Sequence, residues 1–136
     1  FCRETKQFVP KEKGEIIRCI YESLALRYAE VWKKLIQITG QSPTELHIVG
    51  GGCQDRLLNQ FTANAIGEKV IVGPVEATGM GNILCQLISD KKINGISEAR
   101  QISINSHTVK VFKAKDKQKW AMAKRKFTKV TRPYTQ

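Results

Sequence analysis

Histidine is nearly absent, with two in 136 residues, and the four cysteines (Cys2, Cys19, Cys53, Cys85) form no CxxC pair and have no histidine at ligand spacing. The common zinc modules are thereby excluded, and no metal site is expected among these side chains. No apolar run approaches the ~18 residues that span a bilayer, and Phe1-Cys2-Arg3-Glu4 has neither the basic start nor the apolar stretch of an export signal. The expectation is a cytoplasmic chain that contacts no membrane and keeps its thiols reduced. Two phosphate-binding signatures are missing too. There is no Gly-Lys-Ser/Thr ending of a P-loop, and the dinucleotide fingerprint fails because its third glycine would fall at Asp55.

Acidic residues run short in one place only. Residues 1–108 carry 13 Lys+Arg against 11 Asp+Glu, whereas residues 109–136 carry 10 against 1. The net charge of +11 therefore belongs mostly to the C-terminal end, and the body is nearly balanced. Residues 109–136 read as a basic, flexible tail. Phe112, Trp120, Phe127 and Tyr134 are interspersed with its lysines, a composition that can track phosphates and stack on bases. No groove-fitting helix, RNP-type strand or zinc module accompanies it, so specific nucleic-acid binding is not expected.

What is present is an α/β pattern. Ile17, Ile20, Leu24, Tyr28, Val31, Leu35 and Ile38 recur at three- and four-residue steps, which predicts a long amphipathic helix over 15–38 that stops at Gly40. Leu46 to Val49 is a short apolar strand, Gly50-Gly51-Gly52 a turn, and Asp55 to Ile66 a second helix. Val70-Ile71-Val72 is a β-branched strand, followed by Gly73-Pro74 and a third helix over 75–89, in which Cys85 is expected in the core. The two strands, joined through a helix, should lie parallel. Two parallel strands do not make a self-sufficient sheet. The predicted class is thus α/β with an incomplete sheet: long helix, then strand, helix, strand, helix.

The turn Gly50-Gly51-Gly52 carries the most chemical information. Glycines between a strand and a helix let a backbone approach a ligand closely, beside unpaired N–H donors at the helix start. They serve equally to pack a strand tightly on a helix. Glu76 at the start of the third helix reads as favouring the dipole, and Gly79 and Gly81 as a small face for close packing. His47, without a second ligand, reads as structural.

His47-Ile48-Val49-Gly50-Gly51-Gly52-Cys53-Gln54-Asp55, Leu57-Leu58-Asn59-Gln60, Gly73-Pro74-Val75-Glu76-Ala77-Thr78 and Gly81-Asn82-Ile83 together resemble the C-terminal region of the FGGY carbohydrate kinases. Phe1-Cys2-Arg3-Glu4-Thr5, Arg18-Cys19-Ile20 and Ser23-Leu24-Ala25-Leu26 extend the resemblance upstream, toward the members that phosphorylate L-rhamnulose. The resemblance implies the C-terminal portion of an actin-like, ribonuclease H-like ATPase domain, with the nucleotide-binding lobe over 1–108. It further implies an N-terminal lobe that is missing here, and MgATP and sugar in the cleft between lobes. Its residue-level implication is adenosine against Gly50, Gly51 and Gly52, Gly51 foremost. At Asp55 the family usually holds Asn; a carboxylate can only accept hydrogen bonds. The family's catalytic Asp has no counterpart in this sequence, so the chain alone is expected to be catalytically silent, with magnesium held through the phosphates and residues elsewhere. The resemblance leaves a Cys2–Cys19 disulfide open, and xylulose- or glycerol-directed members are the nearest alternatives.

Overall fold

The computed structural model describes residues 1–134. Helix α1 spans Lys13–Thr39, α2 Arg56–Ile66, α3 Ala77–Ser89, α4 Ile96–Asn105 and α5 Lys117–Thr131. Strands β1 (Glu45–Ile48), β2 (Lys69–Val72) and β3 (Lys110–Phe112) form one sheet in the order β1-β2-β3. β1 and β2 are parallel, Glu45 opposite Lys69 and Ile48 opposite Val72. β3 runs antiparallel to β2, Val70 opposite Phe112. The crossover helix α2 accounts for the parallel pairing, since strands joined through a helix return in the same direction.

Local chemistry sets the helix limits. The Glu15 carboxylate accepts from the N–H groups of Lys11 and Glu12, which holds its pKa below the ordinary carboxylate value and satisfies donors that the first turn of α1 leaves open. Gly40, in the left-handed region, ends α1 by donating to Ile36 O at 2.9 Å.

α2 is the central layer. Toward the sheet, Ala63 packs with Cys53, Val70 and Val72, alongside Leu46, Ile48 and Phe112. Toward the other side, Ala65 packs with Ala25, Leu26, Ala29 and Trp120, joined by Phe61 and Phe127. Alanines on both helices allow α1 and α2 to approach closely, and burial of these apolar surfaces is the main stabilising term.

The C-terminal segment differs from the flexible tail expected of residues 109–136. β3 closes on β2, and α5 lays Trp120, Ala123 and Phe127 onto α1 and α2 while most of its lysines are exposed. The Trp120 and Phe61 rings meet in a tilted arrangement, 5.3 Å between centroids with 58° between their planes. Two α2 side chains latch the strand-to-helix connection: Asn64 Oδ1 accepts from Lys115 N (2.8 Å) and Gln60 Nε2 donates to Lys113 O (2.9 Å). The steps of three and four between residues 120, 123 and 127 are an amphipathic helix pattern that the six basic residues of α5 disguise. Thr135 and Gln136, the end of that segment, lie outside the described residues. Ile96–Asn105 form the ten-residue α4.

The buried face of α1 is not the one its large apolar residues mark. Ala25, Leu26 and Ala29 are buried, whereas Ile17, Ile20, Leu24, Tyr28, Val31, Leu35 and Ile38 are exposed, Ile38 to 81 %. α3 buries none of its residues, and Cys85, expected in the core, is exposed. Among the described residues these two faces are at most partly covered, α3 by its contacts with α4. Among the described residues, no helix is long and apolar enough to cross a membrane.

Candidate functional site

The parallel strands deliver two bends to one end of the sheet. β1 leads through Val49 into Gly50 and a 3-10 turn, Gly51–Gln54, and β2 leads into Gly73-Pro74 and α3. The bends are stapled reciprocally: Gly73 N–H donates to Ile48 O at 2.8 Å, and Gly50 N–H donates to Pro74 O at 3.0 Å.

The three glycines are not equivalent. Gly50 has φ 79° and ψ −165°, a conformation essentially reserved for glycine, so the backbone itself requires it. Gly51 and Gly52 are exposed, outside the positive-φ set, and a Cβ at either would meet nothing within 4 Å. The chain's own packing makes no demand for glycine at those two positions. Gly79 and Gly81 on α3 are likewise open, contrary to the close packing expected for them. At Gly73, by contrast, a Cβ would come within 2.9 Å of Val49 Cγ1.

Asp55 closes the turn. Its Oδ1 accepts from Leu57 N (3.1 Å) and Leu58 N (3.0 Å), a side-chain cap on α2. The Leu58 N–H, then the Tyr21 hydroxyl from α1, hold the carboxyl below its usual pKa, and the same contact raises Tyr21. Asn59, one turn further along α2, is buried and donates from Nδ2 to Cys53 O (3.0 Å). Sequence reasoning singled out neither Tyr21 nor Asn59. The available signal for Asn59 was a carboxamide four residues after the cap, on a face otherwise filled by small and apolar side chains.

His47 is exposed on β1, its Nε2 3.1 Å from Glu45 Oε1, and Lys69 joins Glu45 from β2 at 3.4 Å. Glu76 stands at the start of α3 without a side-chain cap bond. Cys2 and Cys19 are free thiols. Burial first, and then neighbouring Cys2, push the Cys19 thiol up. No group of three His, Cys, Asp or Glu side chains among the described residues is arranged to hold a metal ion.

A parallel strand pair that turns through glycines into helices at one sheet end makes this chain part of an α/β domain of the kind that receives ligands beyond the strand tips. The chain belongs to the FGGY family of carbohydrate kinases, whose C-terminal domain matches residues 5–89. It is similar to the rhamnulokinase of Bacillus subtilis (strain 168), with 46% identity over 116 residues covering 85% of this chain. The matched region is 24% of that relative, so the chain spans about a quarter of its length.

Proposed function

We propose that this chain is the adenosine-side wall of a cytoplasmic sugar kinase with an actin-like fold, which transfers the γ-phosphate of MgATP to the 1-hydroxyl of L-rhamnulose, giving L-rhamnulose 1-phosphate. One observation carries the reading. Gly51 and Gly52 stand bare on an exposed turn at the strand tips although neither the backbone angles nor the surrounding atoms call for glycine. A flat ligand resting on the turn supplies the missing reason, because a side chain there would hold it off. In this reading Gly50, Gly51 and Gly52 face the adenosine. Asp55, with its carboxylate engaged at the cap, borders the nucleotide and fixes where the turn ends.

The incompletely covered faces support an enzyme completed by further polypeptide. The α1 stripe from Ile17 to Ile38 and the apolar residues of α3 are the surfaces on which we seat the absent N-terminal lobe and its strands. β1 lies at the sheet margin, where such strands would continue the order. Phosphoryl transfer needs positioning, charge neutralisation and a base beside the attacking hydroxyl. We assign the base, the sugar pocket and the magnesium contacts to the absent lobe and to the ATP phosphates. Within this chain the work is binding: the turn orients the nucleoside so that its phosphates reach the cleft.

The test is ATP-dependent phosphorylation of L-rhamnulose, xylulose and glycerol by the intact polypeptide that carries this chain, followed by coupled ADP release. Rhamnulose should have the highest kcat/KM, and the 136-residue chain alone should turn over none of the three. A preference for xylulose or glycerol would reassign the substrate, and turnover by the chain alone would overturn the division of labour.

A further inference from the structure

We infer that Asn59 is a positioning residue for the nucleotide turn, a buried carboxamide that holds the glycine bend in the shape ATP meets. The inference rests on the adenosine reading of the bend. Asn59 is 1 % exposed, among the largest fully buried side chains of the chain. A carboxamide in such a place costs free energy unless it is hydrogen-bonded. An apolar side chain of similar volume would fill the site equally well, so packing alone does not explain the amide.

Its partners do. Nδ2 donates to Cys53 O at 3.0 Å and lies 3.4 Å from Gly52 O, both carbonyls of the 3-10 turn. The backbone N–H of Asn59 bonds to Asp55 O at 3.0 Å, so one residue secures the turn by its side chain and the turn's exit by its main chain. The carbonyls are thus drawn inward to α2 while bare Gly51 and Gly52 remain on the outer side. The flanking Cys53 side chain is buried with Val70 and Val72, which fixes the inner wall. Asn59 touches no reacting atom in this arrangement, and its effect passes through the backbone of residues 52 and 53.

The experiment is steady-state kinetics of the intact kinase with MgATP and L-rhamnulose, comparing wild type with Asn59→Ala and Asn59→Asp, the second of which opposes a carboxylate to two carbonyl oxygens. KM for ATP should rise about tenfold in Asn59→Ala, the equivalent of one lost buried hydrogen bond, and further in Asn59→Asp. KM for the sugar and kcat at saturating ATP should stay within about threefold. Leu26→Ala, in the α1–α5 core away from the bend, controls for lost stability and should leave KM for ATP unchanged. Asn59→Ser, which keeps a donor on a shorter arm, decides the matter if the other two are insoluble. An ATP KM within twofold of wild type in soluble Asn59 variants overturns the inference and leaves the kinase reading intact. So does insolubility of all three Asn59 variants where Leu26→Ala is soluble, since the role is then structural only. A wild-type enzyme that phosphorylates no sugar with ATP overturns the kinase reading and the inference with it.

Discussion

Substituting Gly50 and Gly51 separately distinguishes a glycine kept for the backbone from one kept for a ligand. At Gly50, φ of 79° with ψ of −165° is a region L-residues avoid, and Gly50→Ala should cost about 1–3 kcal/mol of stability. At Gly51 a Cβ meets no atom within 4 Å and the backbone is ordinary. Gly51→Ala should therefore change stability by no more than about 0.5 kcal/mol, as surface changes do, or stabilise slightly by restricting the unfolded chain. With adenosine against the turn, the methyls of Gly51→Val would overpack that contact by about 1–3 kcal/mol. That is a rise of about 5- to 150-fold in KM for ATP. The assay pairs urea unfolding midpoints with ATP titrations at saturating sugar, on the same intact preparations. A Gly51→Val variant that binds ATP as wild type does, or whose stability falls as far as that of Gly50→Ala, would refute a ligand-facing role for Gly51.

Three further outcomes are expected. Trp120→Ala should destabilise by about 3 kcal/mol, because it removes the ring that joins α5 to Ala25, Leu26, Ala29 and Ala65; a change below about 1 kcal/mol in urea unfolding would show that the basic helix does not dock. Asp55→Ala should cost about 1 kcal/mol at pH 7 through loss of the α2 cap. The Asp55 carboxyl titrates below its ordinary value of 3.8 in the folded state, so the charged cap contributes fully above that pH and fades as pH falls through the lower, folded value. The gap between wild type and Asp55→Ala should accordingly close on acidification below about 3.8, and a gap that widens there would contradict the sign. Finally, alkylation should modify exposed Cys85 ahead of buried Cys53 in this chain, with Cys85 protected in the intact enzyme if the absent lobe covers α3; peptide mass mapping reads both.

Much of the framework was legible because glycines and β-branched residues mark it sharply. Val70-Ile71-Val72, the bend at residues 50–52, the stop at Gly40 and the parallel pairing all follow from local chemistry. Two features were not legible, for different reasons. In α5, Lys and Arg are as numerous as the apolar residues, and only the contacts of Trp120, Ala123 and Phe127 with α1 and α2 reveal that one face is core. In α1, the large side chains pointed to one face while Ala25, Leu26 and Ala29 are the residues buried. Hydrophobic periodicity finds an apolar stripe but does not say whether its cover lies in the same stretch of chain. Within the site the glycines stood out, whereas Tyr21 and Asn59 act through contacts with residues 55 and 53 that only the folded arrangement brings together.

The reciprocal staples between Ile48 and Gly73 and between Pro74 and Gly50 tie two loops into one mechanical body. Neither can swing alone: displacing one by an ångström would break both bonds or drag the other with it. The two loops also lie close at this point, where a Cβ on Gly73 would come within 2.9 Å of Val49 Cγ1. Whatever leans on the first loop is therefore transmitted to the foot of α3, and a larger residue at 73 would press on the Val49 side chain beside that linkage.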